Sequence, residues 1–121
     1  LPILYALSHP ERLPNSLKPW DPVDTPTLSF ESPDETTFRC LPLARESARI
    51  GGTMPCVMNA ANEAAVALFL QGKARFLQIA DLVEGAMASH RPLEPTLDHL
   101  LAADEEARRH VHEIASSGVS V

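Results

Sequence analysis

The strongest structural signal in the sequence is the stretch Asn59-Ala60-Ala61-Asn62-Glu63-Ala64-Ala65-Val66-Ala67-Leu68-Phe69-Leu70-Gln71. Beyond its first turn, this stretch is apolar on nearly every side, which is typical of a helix at the centre of a bundle. Asn59 can cap its start, and Gly72 can end it in a left-handed conformation. The stretch therefore predicts a central helix, from about Asn59 to Gln71, that other helices surround.

Three further amphipathic helices are predicted around this centre. The first runs from about Pro42 to Ile50 and ends at Gly51-Gly52, the next from Phe76 to His90, and the last starts at the N-cap Thr96. Four helices with short loops predict a mainly α, four-helix-bundle-like domain. Helical spacing predicts these buried residues: Leu43, Ala44, Ser47 and Ala48; then Phe76, Ile79, Ala80, Val83, Ala86 and Met87; then Leu97, Leu100, Leu101, Ala103, Ala107, Val111 and Ile114.

The first third of the chain differs in composition from the rest, because seven of the chain's eleven prolines lie within residues 1–33. Proline removes a backbone donor and fixes φ, so this region is predicted to be an extended arm. The apolar stretch Leu1–Leu7 is predicted to be a strand, and Thr27–Phe30 a second, short one. We expect the first strand to belong to a larger α/β domain upstream. The predicted division is therefore 1–33, strand plus arm, and 34–121, helical bundle.

Composition excludes several classes of function. The net charge is -6 and the ten bases are scattered, so no basic face for nucleic acid is expected. The longest apolar run, Ala64–Leu70, is too short for a membrane helix. Cys40 and Cys56 form neither a zinc motif nor a disulfide framework. Two such cysteines fit a reducing cytoplasm.

One polar cluster stands out, because Asn59, Asn62 and Glu63 share a face at the start of the central helix. It can be interpreted as an anion or substrate site at a positive helix end. It can equally be a capped helix start whose side chains satisfy nearby backbone groups. We favour the second interpretation, because Glu63 would repel anions.

The remaining polar patterns carry weaker signals. Glu106 and His110 could share a helix face as a metal pair, whereas the rings of His110 and His112 lie about 200° apart and cannot chelate one ion. Trp20, flanked by prolines, is predicted to anchor packing between two domains, with ligand stacking as the weaker alternative. Two acid-to-base i, i+4 pairs are predicted on a solvated face: Asp104 with Arg108 and Glu105 with Arg109.

An ordered set of motifs closely resembles the C-terminal part of the 1-deoxy-D-xylulose 5-phosphate reductoisomerase family. The resemblance covers nearly the whole chain, except the divergent segment Arg91–Pro95 and the final residues. The motifs are Pro2-Ile3, Ala6-Leu7, Pro10, Arg12, Leu17-Lys18-Pro19, Leu28-Ser29-Phe30, Pro33-Asp34, Cys40-Leu41, Asn59-Ala60-Ala61-Asn62-Glu63, Val66, Ala67-Leu68-Phe69-Leu70 and Ile79-Ala80.

The resemblance implies a cytoplasmic homodimeric oxidoreductase and isomerase of non-mevalonate isoprenoid biosynthesis. Such an enzyme uses NADPH and Mg or Mn to convert 1-deoxy-D-xylulose 5-phosphate to 2-C-methyl-D-erythritol 4-phosphate. It implies that the nucleotide, metal and phosphate sites precede Leu1, so we assign no catalytic, cofactor-binding or metal residue to this chain. The expected role is structural support for the upstream catalytic and NADPH-binding domains, with no activity alone. The alternative is a self-contained helical scaffold or interaction module, which the sequence upstream of Leu1 would distinguish.

Overall fold

The computed structural model describes residues 2–117, which form five α-helices: α1 (Pro2–Ser8), α2 (Cys40–Ile50), α3 (Met54–Leu70), α4 (Gln78–Ser89) and α5 (Leu97–Ser116). The mainly α fold class is confirmed. The chain divides into two compact units, Leu1–Ser32 and Pro33–Val121. We call the described part of the first unit, residues 2–32, the arm, and that of the second, residues 33–117, the bundle. Within the described residues, no helix is both long and apolar enough to span a bilayer.

The strand predicted over Leu1–Leu7 is wrong, because Pro2–Ser8 form helix α1; Leu1 lies outside the described residues. Pro2 suits the first helical position, where its missing N–H leaves no hydrogen bond unmade. A strand would also need a partner strand, and residues 2–117 contain none. The short strand predicted at Thr27–Phe30 is wrong for the same reason.

The arm beyond α1 contains turns that short polar side chains close. Asn15 Oδ1 accepts a hydrogen bond of 2.9 Å from the Leu17 N–H, and Asp21 Oδ1 accepts one of 2.7 Å from the Val23 N–H. Such side chains offer the backbone partners outside helices and sheets. The arm therefore has local order although most of its residues are exposed.

Helix α3 is the centre of the bundle, as predicted, and packs against α2, α4 and α5. Its buried face is largely alanine, which allows neighbouring helices to approach closely. The largest fully buried side chains, Val57, Val83 and Val111, come from three different helices. The buried apolar core consists of Met54, Val57, Ala60, Ala61, Ala64, Ala65, Leu68, Ile79, Ala80, Leu82, Val83, Ala86, Met87, Ala103, Ala107 and Val111.

Three of the predicted helix signals are confirmed and one is wrong. Gly72, with φ of 71°, follows the end of α3 as predicted. Gly51 and Gly52, with φ of 72° and 57°, follow the end of α2, and Thr96 Oγ1 accepts a 3.3 Å hydrogen bond from the His99 N–H at the start of α5. Asn59 is not an N-cap, because α3 already begins at Met54. The cause is Pro55, which fits the first turn of a helix and extends α3 by five residues.

Several residues predicted to be buried are exposed. Leu97 and Leu101 are 71% and 62% exposed, because Leu101 lies about 120° around α5 from the stripe that contains Ala103 and Val111. Phe76 is exposed because it precedes the first turn of α4, and Ala48 lies on the outer side of α2. The apolar surface of α3 is also less enclosed than predicted, since Phe69 and Leu70 are exposed near its C-terminal end.

Candidate functional site

The cluster of Asn59, Asn62 and Glu63 lies in the second and third turns of α3 rather than at its N-terminus. The Asn59 amide donates a long hydrogen bond of 3.4 Å to Glu63 Oε1. The positive end of the helix is a full turn away, so these side chains do not gain the dipole that an anion site would use. Both interpretations placed the cluster at the helix start, so the anion site loses its basis and the favoured interpretation, a capped helix start, is wrong.

Glu63 instead contacts α5 through an ionic network. Arg108 Nη2 donates a 2.7 Å hydrogen bond to Glu63 Oε2, while Arg108 Nε donates one of 2.7 Å to Asp104 Oδ2. Hydrogen bonds from Arg108 hold the pKa values of Asp104 and Glu63 below their ordinary range and raise the pKa of Arg108 itself. Each carboxylate stays charged at neutral pH, so neither is suited to general acid chemistry.

The predicted pair of Asp104 with Arg108 is confirmed, whereas the pair of Glu105 with Arg109 is wrong. Arg109 Nε lies 3.6 Å from Glu113 Oε1, one turn further along α5. The side chains of Arg109 and Glu113 are mostly exposed, so water screens the attraction between them. Such a weak attraction gives Arg109 little preference between Glu105 and Glu113, which lie one turn before and after it.

Asn62 is separated from its two sequence neighbours. It lines an apolar groove of about 270 Å³ in the bundle, together with Phe38, Val66 and Phe76. The three residues of the cluster therefore do not converge on one site. Glu63 contacts α5 and accepts a hydrogen bond from Asn59 within α3, whereas Asn62 lies in a groove whose walls are almost entirely apolar.

The metal pair of Glu106 and His110 gains no further ligand. His110 Nδ1 lies 3.8 Å from Glu113 Oε2, and within residues 2–117 no three His, Cys, Asp or Glu side chains form a group that could hold a metal ion. His112 is exposed, on the other side of the buried Val111. The described residues thus do not fit the Mg or Mn that the family resemblance implies, and no chemical step is assigned to a metal here.

Both cysteines are unpaired thiols in half-buried positions. Burial raises the pKa of Cys40 and of Cys56, so neither thiol has the lowered pKa that marks a reactive nucleophile. Cys56 Sγ donates a weak hydrogen bond of 3.4 Å to the carbonyl of Leu100, which fits a packing role between α3 and α5.

Sequence reasoning missed a buried polar junction that holds the start of α3. The Thr53 hydroxyl is fully buried, accepts a 3.0 Å hydrogen bond from the Leu93 N–H, and lies 2.7 Å from His90 Nε2. The Thr53 N–H donates in turn to the Leu93 carbonyl at 3.0 Å. The one available signal was a threonine directly after two glycines, which places a hydroxyl where a helix begins.

A second missed feature is an ionic contact between the start of α2 and α4. Arg39 donates hydrogen bonds to Asp81 and to Glu84, which lie one turn apart on α4. The sequence shows that Asp81 and Glu84 share one face of a helix at i, i+3. Only the tertiary structure shows that Arg39 contacts both. Arg39 thus joins two helices from their exposed sides.

Fold and geometry together define an all-α domain in which polar side chains such as Arg108 and Arg39 join neighbouring helices. Comparison with known proteins agrees with this class. The family model for the DXP reductoisomerase C-terminal domain matches residues 1–110. The chain belongs to the DXP reductoisomerase family and corresponds to its C-terminal domain.

Relatives and solved structures support this assignment. The chain is 50% identical over 112 residues to the 1-deoxy-D-xylulose 5-phosphate reductoisomerase of Gloeobacter violaceus, and 48% identical over 116 residues to that of Acetivibrio thermocellus, covering 92% and 94% of this chain. It spans only 29% and 30% of those relatives.

The fold is similar to that of the reductoisomerase from Zymomonas mobilis in complex with NADPH, with a TM-score of 0.85 and 40% identity over 97% of this chain and 31% of that one. A DOX-P reductoisomerase in complex with magnesium gives a TM-score of 0.82 at 30% identity, over 95% of this chain and 31% of that one.

Proposed function

We propose that this chain is the C-terminal segment of an NADPH-dependent enzyme that converts 1-deoxy-D-xylulose 5-phosphate to 2-C-methyl-D-erythritol 4-phosphate in isoprenoid biosynthesis. The observation that carries the proposal is the family match over residues 1–110, combined with relatives of which the chain spans about 30%. The titles of related structures that name NADPH and magnesium support the choice of cofactors.

Within that enzyme, the segment's proposed role is structural support for catalytic and NADPH-binding domains that the longer protein supplies. We assign residues 1–33 to the junction with the catalytic domain and residues 34–121 to the C-terminal helical domain. We place no catalytic, cofactor-binding or metal residue in the segment, and we expect a cytoplasmic homodimer. The ionic and hydrogen-bonded contacts between helices support this role, since they fix the shape of the bundle.

Trp20 supports the same role from the arm. Its side chain is 66% exposed, and a large apolar ring at such an exposed position is typical of a contact with another domain. We propose that Trp20 anchors the arm on the rest of the longer protein. Ligand stacking is the weaker interpretation.

The decisive experiment measures NADPH oxidation at 340 nm with 1-deoxy-D-xylulose 5-phosphate and Mg²⁺, for the longer protein and for the 121-residue chain. We expect turnover by the longer protein and none by the chain alone. Turnover or tight NADPH binding by the 121-residue chain would contradict the supporting role. No turnover by the longer protein would contradict the enzyme assignment itself.

A further inference from the structure

The arm contains a pocket of about 360 Å³ with a cation at its wall. Leu4 and Leu13 give the pocket apolar walls, while Tyr5, Arg12 and Asn15 contribute polar groups. The pocket has no role in the proposed function, and it takes no part in the contacts described within the bundle.

Tyr5 holds the cation in position. The guanidinium carbon of Arg12 lies 4.6 Å from the centroid of the Tyr5 ring, and the ring of His9 lies 5.7 Å from that of Tyr5 in an edge-on arrangement. A guanidinium stacked on an aromatic face loses little solvation and keeps its N–H donors available at its edge. Arg12 is therefore pre-oriented for a planar acceptor.

Within residues 2–117, no carboxylate forms an ion pair with Arg12. This distinguishes it from Lys18, which pairs with Asp24 in the same arm, and from Arg45 and Arg108 in the bundle. The nearby side chains of Ser8 and Asn15 have local partners: the Ser8 hydroxyl donates to the Glu11 carbonyl at 2.7 Å, and Asn15 Oδ1 accepts from the Leu17 N–H. Asn15 also lines the pocket, and within residues 2–117 no hydrogen bond uses its amide nitrogen as a donor.

We infer that this pocket receives an Asp or Glu side chain, carried on an apolar stretch of the catalytic part of the longer protein; the inference rests on the proposed function. A carboxylate matches the fork of N–H donors that a guanidinium presents. The pocket has apolar walls, and the neighbouring Ile3 and Leu7 of α1 are 78% and 84% exposed. We therefore expect apolar residues next to that carboxylate to cover this surface.

A protein-borne acid fits this pocket better than a free anion. An exposed arginine binds a free carboxylate weakly, because water screens the charges. A carboxylate on the same polypeptide is present at an effective concentration in the millimolar range, and its neighbours exclude water from the pair.

Carbodiimide cross-linking of the Arg12→Lys variant of the longer protein tests the inference. The reagent joins an amine to a carboxylate in contact with it, and mass spectrometry identifies the linked peptides. We expect a link between position 12 and an Asp or Glu that precedes residue 1. Lys18 and Asp24 are the internal positive control. If that control link forms while position 12 links only within residues 2–117 or not at all, the inference is overturned.

A measurement on the unsubstituted protein keeps the test independent of folding defects. Phenylglyoxal should modify Arg12 at least about tenfold more slowly in the longer protein than in the 121-residue chain, since charged hydrogen bonds to a carboxylate protect the guanidinium. Arg49, whose partner Glu46 lies in the same helix, should react equally in both and serves as the control.

Equal rates at Arg12 would overturn the inference. Protection of Arg12 by millimolar acetate in the 121-residue chain would overturn it too, because it would identify a free carboxylate as the ligand. Neither readout requires turnover, so a longer protein that does not oxidise NADPH would contradict the proposed function and leave this measurement interpretable.

Discussion

The bundle buries an apolar core, whereas no apolar side chain in the described part of the arm is buried. In the bundle, residues such as Val57 and Val83 are at most 1% exposed, whereas in the arm Val23 and Phe30 are 83% and 88% exposed. Both regions contain large apolar residues, so composition alone does not separate them. The difference indicates that the bundle has a hydrophobic core of its own, whereas the arm leaves its large apolar side chains exposed, which supports the proposal that another part of a longer protein covers them.

The sharpest way to break this comparison is to remove the same side chain from each region. In the 121-residue chain, Leu68→Ala should lower the free energy of unfolding by about 3–4 kcal/mol, since the site is 4% exposed and leaves a cavity. Leu28→Ala, at a site 61% exposed, should change it by less than about 0.5 kcal/mol. Urea titration followed by circular dichroism measures both. Equal losses would contradict the difference between the regions.

A smaller loss of stability should follow substitution of either of the two glycines after α2. A Cβ at Gly52 would lie 2.5 Å from the Leu93 carbonyl oxygen, whereas one at Gly51 would meet nothing within 4 Å. Both have positive φ, so Gly51→Ala should cost about 1 kcal/mol for backbone strain alone. Gly52→Ala should cost roughly 2–3 kcal/mol, because the clash adds to that strain. Thermal unfolding of the two variants checks the order, and a larger loss for Gly51→Ala would contradict the described junction.

The smallest effect should be the pH dependence that Arg108 confers. Arg108 lowers the folded-state pKa values of Glu63 and Asp104. The stability that Arg108 contributes through these two carboxylates is therefore fully present above their ordinary pKa values of 4.5 and 3.8. It is lost as the pH falls through the lowered values. Arg108→Gln should therefore be slightly less stable than the unsubstituted chain at pH 7 and equally stable at the acid end of the titration.

Melting temperatures measured from pH 7 downward check this convergence. Arg109→Gln is the matched control, because its pair with Glu113 spans 3.6 Å and is more exposed. The effect is small because all three side chains of the Arg108 network are more than a third exposed. A stability difference that persists unchanged in acid would contradict the assigned network.

Much of the bundle could be predicted from the sequence, because helical spacing, Gly51 and Thr96 act locally. The central position of α3 followed from alanine and leucine on nearly every side. Local signals failed where two of them competed: Asn59 is a good cap, yet Pro55 starts the helix earlier. They also failed for the residues that form α1, Pro2–Ser8, whose apolar side chains suit a strand or a helix equally.

The candidate site was less predictable than the fold. Asn59 and Glu63 were interpreted as a helix start, but Arg108, the partner of Glu63, lies 45 residues away from it in the chain. The junction of Thr53 with His90 is likewise long-range, and nothing in the local sequence of either residue indicates the other. Helical spacing shows which residues share a face, whereas tertiary packing determines which faces meet.

Amide hydrogen exchange, compared between the 121-residue chain and the longer protein, tests the central claim most directly. We predict slow exchange in helices α3, α4 and α5 of both proteins, because the bundle folds by itself. The arm should exchange fast in the 121-residue chain and become protected only in the longer protein. An arm that is equally protected in both, or that stays unprotected in the longer protein, would contradict the account of the arm as a segment made to pack on the rest of the enzyme.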